Sequence, residues 1–203
     1  MGFGVDMVME ACAAAKKMCA PVYVKDMAEC WDSMKQRSRG LNDRWYDSVV
    51  NMMETSTRGM SYSFVGQYAR EPMAYLYARS DAAFDHMDMD THKVGFVNGL
   101  WLSPMCMKMM KKMPSNVMYM ADYHELMLAL DDGKIDVAFM EERMANGYKK
   151  VSSRMQCAKY GPSIMARKDM EYQLYWVKDA LKMVYSSGKY NRMCYVAKKA
   201  YGE

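Results

Sequence analysis

Apolar and polar positions follow two different rhythms in the first part of the chain. Val5 to Met18 carries apolar residues at helical spacing, with Lys16 and Lys17 near the end, where the helix dipole favours cations. Three shorter apolar runs have the length of strands and lie at 21–24, 45–52 and 73–78. Thr55 is typical of a turn or helix start, because its hydroxyl can accept free backbone amides. This part predicts a block rich in β-strands and α-helices.

The middle of the chain repeats one pattern, in which a strand-length apolar run precedes a helical segment. Strands are predicted over Lys93–Val97, Val117–Ala121 and Ile135–Met140. Helices are predicted to begin at Ser103-Pro104 and after Asp122, and another over Glu141–Tyr148. Strands that alternate with helices at this spacing form a parallel sheet with short crossovers. From residue 80 onwards we therefore expect a second, doubly wound α/β block.

The last part of the chain predicts one strand and two helices. The strand covers Ser163–Ala166. The first helix covers Met170–Tyr185 and has Leu174, Val177, Leu181 and Val184 along one face. After a stop at residues 186–188, a final amphipathic helix is predicted over Tyr190–Tyr201.

Composition places the chain among globular proteins. Hydrophobic residues are 51% and charged residues 26%, and no apolar run approaches the roughly 18 residues that a membrane span needs. The net charge of +4 is spread along the chain, whereas nucleic-acid binding needs clustered basic residues. We therefore expect no nucleic acid as a partner. Methionine is frequent, at 27 of 203 residues, which indicates a core filled by adaptable side chains.

The six cysteines are an even number, but sequence leaves their pairing open. No close C-x-x-C pair occurs, which disfavours a zinc ribbon or a thioredoxin-type motif. Disulfides are expected if the protein is exported. No signal peptide is visible, since Asp6 and Glu10 lie within the predicted first helix. We expect either that a leader has been removed or that export does not use that route.

Short motifs follow one another along the chain in a recognisable order. They include Gly2-Phe3-Gly4-Val5-Asp6, Trp31-Asp32-Ser33-Met34, Thr55-Ser56-Thr57-Arg58, Lys93-Val94-Gly95-Phe96-Val97-Asn98-Gly99 and Gly133-Lys134-Ile135-Asp136. In this order the motifs resemble those of the type II solute-binding proteins, specifically the polar-amino-acid (family 3) group. The resemblance covers nearly the whole chain. It implies an α/β fold of two lobes, each a small sheet flanked by helices, with a hinge between the lobes.

The resemblance also implies how the chain is divided and what it does. Lobe 1 is expected to contain residues 1–79 and 162–203, and lobe 2 residues 80–161. A small polar solute, an amino acid or a related zwitterion, is expected in the cleft between the lobes. Such proteins work in the periplasm or outside the cell beside a membrane permease or receptor. We expect a monomer without a cofactor.

Two charged residues are the principal ligand contacts that the resemblance implies. Arg58 would bind the ligand carboxylate, a task that suits a planar guanidinium, and Glu141 would face the ligand amine from the end of a strand. The alternatives are a solvated arginine at a helix start and a surface glutamate in a first helical turn. Thr55 would offer its hydroxyl or amide to the same anion, or would serve as an N-cap alone.

Further ligand contacts are expected at Trp31, Asn51, Met53, Gly99, Leu100 and Trp101. Trp31 occupies the family's stacking position, with core packing as the alternative. Leu100-Trp101 stands where the family has Ser-Thr, so Trp101 is expected to narrow the pocket or to plug it. The family also has small residues or hydroxyls where this chain has Asn51-Met52-Met53-Glu54, and a strand before the element that begins at Gly2.

Other functions are weighed against solute binding. A scaffold of the same fold that has lost its ligand is one alternative, motivated by Leu100-Trp101 and by the strand that the family adds before Gly2. A dehydratase-type enzyme is another, by analogy of fold alone. No Ser or Cys lies in a nucleophile elbow, so we expect no enzyme. Histidine and methionine between residues 86 and 113 suggest copper, but methionine is abundant throughout, and no metal is expected.

Overall fold

The structure is a computed structural model that describes residues 2–83, 89–109, 111 and 113–201. Its helices and strands follow in the order α1 (Phe3–Ala14), α2 (Met27–Cys30), α3 (Arg39–Asn42), β1 (Ser48–Met52), α4 (Ser56–Ser61), β2 (Tyr62–Val65), β3 (Ala74–Ala78), β4 (Lys93–Val97), α5 (Pro104–Met109), β5 (Asn116–Met120), α6 (Tyr123–Asp131), β6 (Val137–Glu141), β7 (Lys149–Lys150), β8 (Ser163–Arg167), α7 (Trp176–Ser186) and α8 (Lys189–Tyr201). Short 3-10 turns lie at Met89–Thr91, Glu142–Met144 and Lys168–Met170.

The chain forms two compact units that each combine distant segments of sequence. The first unit contains residues 1–25, 40–71 and 160–203, and the second contains residues 26–39 and 72–159. The sequence predicted residues 1–79 and 162–203 for the first lobe and residues 80–161 for the second. The observed units differ from these at 26–39, at 72–79 and at 160–161. The second difference has a clear cause, because β3 is hydrogen-bonded to β6 and β7 of the second unit.

The first unit is built on a three-stranded antiparallel sheet. Its strand order is β1-β8-β2, with Val49 opposite Met165 and Phe64 opposite the same residue on the other side. Helices α1 and α7 pack apolar side chains against this sheet to form the core. Its members include Met7 and Ala11 of α1, Ile164 of β8, and Val177, Leu181 and Val184 of α7, each at most 4% exposed. Three of the four positions on the predicted face of the α7 region are therefore buried, which is the amphipathic packing that the spacing predicts.

The second unit is built on a five-stranded mixed sheet of order β5-β4-β6-β3-β7. Strand β4 is parallel to β5 and to β6, whereas β3 is antiparallel to β6. All five residues of β6 are buried, and α6 packs Leu126, Ala129 and Leu130 against the sheet. The parallel part agrees with the alternation of strands and helices in the sequence. The antiparallel strand β3 was assigned from sequence to the other block.

Two disulfides settle pairings that the sequence leaves open. Cys12 pairs with Cys19 in the first unit, and Cys106 pairs with Cys157 in the second. The first closes the loop directly after α1, and the second joins α5 to a segment 51 residues further along the chain. Each disulfide therefore links segments of a single unit.

Two local predictions are wrong in the structure. The strand predicted over 21–24 has no regular structure, and Val22 and Tyr23 are 62% and 90% exposed. A strand needs a neighbour to satisfy its backbone, and this segment pairs with none of the described strands. The helix predicted over Glu141–Tyr148 is only the 3-10 turn Glu142–Met144. Glu141 remains in the sheet opposite Ala74, and Gly147 adopts a positive φ of 88° that a helix does not allow.

Candidate functional site

The turn from β1 to α4 gathers four of the predicted site residues in the first unit. Asn51 has a φ of +62°, a left-handed conformation that asparagine tolerates better than most residues. Met53 follows and is buried. Thr55 is the N-cap of α4, and its Oγ1 accepts the backbone N–H of Arg58 at 3.3 Å. Thr55 therefore fulfils the capping role that the sequence offered as one of its two alternatives.

The Arg58 side chain is almost fully buried. It is 2% exposed, and its Nη1 donates to the carbonyl oxygen of Met53 at 3.1 Å. Burial lowers the pKa of Arg58 to about 9, because the charged form loses its hydration. The guanidinium is still charged at neutral pH. The structure excludes the alternative of a solvated arginine at a helix start.

Glu141 is the carboxylate at the end of β6 in the second unit, and both of its oxygens are engaged. Its Oε1 accepts the indole N–H of Trp101 at 2.8 Å. Its Oε2 accepts the Nε–H of Arg143 at 2.8 Å, and these two side chains also form an ion pair. Glu141 and Trp101 are 5% and 4% exposed. The alternative of a solvated glutamate is excluded, and Trp101 lies against the carboxylate and not in open space.

Two residues around Glu141 were not predicted from the sequence. Arg143 follows Glu141 by two positions in the 3-10 turn and neutralises its charge. Tyr123 begins α6, and burial, followed by the negative charge of Glu141, raises the pKa of its hydroxyl. An arginine two residues after a strand-end carboxylate is a signal that the sequence contains. The position of Tyr123 depends on how α6 packs, so the sequence contains no such signal for it.

Trp31 and Gly99 meet in the second unit. Gly99 has a φ of +84°, and a Cβ at this position would lie 3.0 Å from the carbonyl oxygen of Trp31. Its N–H donates to Ser33 Oγ at 3.0 Å, and the N–H of Ser33 donates to Asn98 Oδ1 at 2.9 Å. Trp31 is 4% exposed, which favours the core-packing alternative. Residues 26–39, which include Trp31, were expected in lobe 1, but they belong to the second unit.

Leu100 occupies a different position from its neighbour Trp101. It is half-buried and packs against the hydrophobic core of the second unit. The structure therefore brings Trp101 to Glu141 and Leu100 to the core.

A cavity in the first unit lies outside the predicted site. Its volume is about 420 Å³, and its lining includes Glu54, Gln67, Lys178 and Tyr185. It lies where α7 crosses the end of β2 and the start of β8. None of the nine predicted contacts lines it. The apolar face of α7 was recognised in the sequence, but its polar face showed no pattern that would indicate a cavity.

Two further features of the described ranges concern clusters of metal-ligating side chains and helices that could span a membrane. No group of three or more His, Cys, Asp or Glu side chains is placed there to hold a metal ion. Residues His86, Met87 and Asp88 of the copper hypothesis lie outside the described residues. Of the helices in the described part, none combines the length and the apolar character that crossing a bilayer requires.

Comparison with known proteins identifies the fold. No family model and no curated protein matches the sequence. Among solved structures, an arginine transport-system periplasmic binding protein from Legionella pneumophila has a TM-score of 0.73 and 20% identity, over 97% of this chain and 88% of that one. The arginine-, lysine-, histidine-binding protein ArtJ from Geobacillus stearothermophilus has 0.74 and 17%, over 100% and 87%. The chain has the fold of the periplasmic amino-acid-binding proteins.

A further structure with this binding-protein fold comes from Silicibacter pomeroyi. It is a periplasmic His/Glu/Gln/Arg/opine family-binding protein in complex with lysine, with a TM-score of 0.73 and 19% identity, over 100% of this chain and 87% of that one. The fold class predicted from the motifs is confirmed. At these identities the likeness establishes the fold, and the ligand of this chain has to be argued from its own residues.

Proposed function

We propose that this chain is a non-catalytic solute-binding protein for a small polar solute that carries a carboxylate. Arg58 is the residue that anchors the solute, with the turn around Asn51, Met53 and Thr55 beside it. Amino acids and related zwitterions are the first compounds to test, because arginine, lysine and glutamine are bound by proteins of the same fold.

The burial of Arg58 carries the proposal. A buried cation is costly to the fold even when neighbouring groups compensate its charge. Arg58 lies within α4, three residues after the N-cap Thr55, on a fold that serves solute binding in other proteins. A guanidinium can bind a carboxylate through two parallel hydrogen bonds, which is a reason to keep such a residue in spite of its cost.

The two disulfides support the same proposal, because they favour an exported protein. Disulfides persist in oxidising compartments and are rare where thiols are kept reduced. The pairs Cys12–Cys19 and Cys106–Cys157 therefore favour a periplasmic or extracellular protein. A membrane permease or a receptor is the proposed partner, and we propose a monomer as the working form.

Replacement of Arg58 tests the proposal. Titration calorimetry against a panel of amino acids and their carboxylate analogues should find a ligand for the unmodified chain. Each charge-assisted hydrogen bond contributes about 1.5–3 kcal/mol, so we expect Arg58→Lys to weaken binding by roughly tenfold or more. Arg58→Ala should weaken it further. Lys17→Ala is the control, because it removes an exposed charge from the same unit and should not change the affinity.

The outcomes are distinguishable even if Arg58→Ala destabilises the fold. Circular dichroism shows whether each variant is folded, and Arg58→Lys keeps the charge inside the unit. Binding that is the same in the unmodified chain, in Arg58→Lys and in Lys17→Ala would contradict the role of Arg58. The absence of heat with every member of the panel would contradict solute binding itself.

A ligand-free scaffold is the second candidate, and one observation favours it. The carboxylate of Glu141, predicted to face a ligand amine, is already bound by Trp101 and Arg143. Thermal unfolding discriminates the candidates, because a ligand that binds the native state at 100 times its Kd stabilises it by about 2.7 kcal/mol. A scaffold would show no shift of Tm with any compound. The dehydratase alternative gains no support from a carboxylate whose two oxygens are both paired.

A further inference from the structure

The cavity of the first unit is formed by residues of that unit alone. Its volume of about 420 Å³ falls within the range of small-molecule sites, roughly 300–1,000 Å³. Four of the residues that line it are aromatic or apolar, namely Phe64 of β2, Leu181 and Tyr185 of α7, and Tyr160. Together they offer a surface on which a flat, apolar body can lie.

Gly66 sets how closely α7 approaches the end of β2. Its φ of +79° favours glycine. A Cβ at this position would lie 2.6 Å from Leu181 Cδ1 and 3.2 Å from Val177 Cγ1. Both of these side chains are buried in the core of the first unit. The part of the cavity wall that Gly66 and Leu181 form is therefore fixed by core packing.

Helix α7 adds two cations to the lining of the cavity. Lys178 and Lys182 are four residues apart, which places them on the same face of the helix. The Nζ of Lys182 lies 2.9 Å from Oδ1 of Asp179, and the two form an ion pair. Within the described residues Lys178 makes no ion pair, and its Nζ lies 5.8 Å from the ring centroid of Tyr175. The charge of Lys178 is thus available to an anion.

Three polar side chains from other segments complete the lining. Glu54 comes from the turn after β1, Gln67 follows β2, and Ser163 begins β8. Gln67 Nε2 donates to the carbonyl oxygen of Ala69 at 2.8 Å, and Ser163 Oγ donates to that of Met52 at 2.9 Å. Each of these two side chains keeps an oxygen that can accept, and a carboxylate is an acceptor as well. These segments therefore suit a ligand group that donates a hydrogen bond.

We propose that this cavity is a second binding site of the first unit, for a small aromatic carboxylic acid that also has a hydroxyl group. The carboxylate pairs with Lys178, and the ring lies against Phe64 and Tyr185. The hydroxyl donates to the acceptor oxygens that the other segments supply. None of the nine predicted solute contacts lines the cavity, so the second site does not depend on the function proposed above.

Titration with para-hydroxybenzoate, followed by NMR of the backbone amides, tests the second site. The amide signals of Gly66, Gln67 and Leu181 should shift as the site fills, and the titration gives the Kd. Benzoate lacks the donor, and para-hydroxybenzamide lacks the charge. Each should bind more weakly than para-hydroxybenzoate by roughly threefold or more, because each loses one of the polar interactions.

Two variants with matched controls test the lining residues. Lys178→Met removes the cation and keeps an apolar stem, so it should weaken binding roughly threefold at low salt. The difference should vanish at about 1 M salt, which screens such an exposed pair. Lys17→Met removes an exposed charge elsewhere in the unit and should have no effect.

Tyr185→Leu should weaken binding because the ring of the ligand loses an aromatic partner. Tyr172→Leu is its control, since Tyr172 is 89% exposed and does not line the cavity. Lys178, Lys182 and Tyr185 are exposed on α7, so these changes should leave the unit folded, which circular dichroism checks for each variant.

Three results overturn the second site. If the amide signals around the cavity do not shift up to the solubility limit of para-hydroxybenzoate, the cavity does not bind it. If the shifts are confined to residues 51–58, the compound binds at the solute site around Arg58, and the proposed function stands without a second site. If Lys178→Met and Lys17→Met weaken binding equally, the attraction comes from the net charge of the chain and not from the cavity.

Discussion

Arg58 and Glu141 are both charged side chains that are almost fully buried, and they differ in the groups that bind them. Arg58 in the first unit donates to a backbone carbonyl, and burial lowers its pKa. Glu141 in the second unit is held by one neutral donor and one cation. Each buried side chain thus has hydrogen-bonding partners within its own unit, which offsets part of the cost of its burial.

Thr55 provides a prediction at the scale of a single side chain. Its Oγ1 accepts the N–H of Arg58 and caps α4. Thr55→Ala should therefore lower the free energy of unfolding by roughly 1 kcal/mol, and should weaken ligand binding because it loosens the helix that carries Arg58. Urea denaturation measures the first effect and calorimetry the second.

Thr57→Ala is the matched control for this change. It makes the same substitution inside α4, where alanine is the better helix former, so the free energy of unfolding should stay the same or rise slightly. Equal losses in the two variants would show that the cap contributes nothing specific.

The roles of individual residues could be predicted only where chemistry restricts the choice. The resemblance of the motifs singled out Arg58 as a cation that binds a carboxylate and Glu141 as a carboxylate at a strand end. Trp31 was expected to stack on a ligand, yet it is almost fully buried within the second unit. An aromatic side chain suits a ligand and a core equally well, and only the packing around it decides which one it serves.

At the scale of elements, Gly95 shows how a sheet and a helix approach each other in the second unit. It lies in the middle of β4, a strand whose other residues after Lys93 are buried. A Cβ at Gly95 would lie 2.7 Å from Leu126 Cδ1 of α6 and closer still to Ile135 Cδ1. Those side chains pack where the glycine leaves room. The glycine therefore permits the contact between α6 and the sheet.

Gly95→Ala should destabilise the second unit. Overpacking a well-filled core costs typically about 1–3 kcal/mol, because side chains leave their rotamers or the backbone shifts. Gly59→Ala is the control, since the nearest atom to a Cβ there lies at 3.5 Å, which is ordinary van der Waals contact. The difference in unfolding free energy between the two variants, measured by urea denaturation, gives the effect. A loss no larger in Gly95→Ala than in the control would contradict this account of the contact.

Elements were predicted well where periodicity and partners agree. Strands β4 and β6 and the buried face of α7 follow their sequence patterns, because each meets the surface that its apolar side chains require. The run 21–24 has the residues of a strand but no partner among the described strands, and it forms none. Strand propensity is realised only where a neighbouring backbone accepts the hydrogen bonds.

At the scale of the whole molecule, the two disulfides close loops of very different length. Cys12 and Cys19 are separated by 7 positions, whereas Cys106 and Cys157 are separated by 51. A crosslink restricts the unfolded chain more when it closes a longer loop. The loop-entropy relation gives about 2.5 kcal/mol for the shorter loop and about 4 kcal/mol for the longer one.

Removal of the disulfides should therefore have unequal effects. The double variant Cys106→Ala with Cys157→Ala should lose more stability than Cys12→Ala with Cys19→Ala, in urea unfolding without reductant. Each pair serves as the control for the other, because each removes one disulfide. Unfolding of the unmodified chain with reductant should lose at least as much stability as the less stable pair. Equal losses in the two pairs would show that loop length does not set the contribution.

The sequence by itself determined the kind of fold, the alternation of strands and helices in the second unit, and the two charges on which the functional proposals depend. The alternation follows from local periodicity, whereas the kind of fold and the two charges were implied by the order of motifs that resembles the solute-binding proteins. Only the tertiary structure decided that β3 joins the sheet of the second unit, that four of the six cysteines form these two pairs, and that Arg143 and Trp101 hold Glu141. Such contacts join residues that are distant in sequence or depend on which rotamer a side chain adopts. Packing selects them from many alternatives that the pattern of apolar and polar residues allows equally.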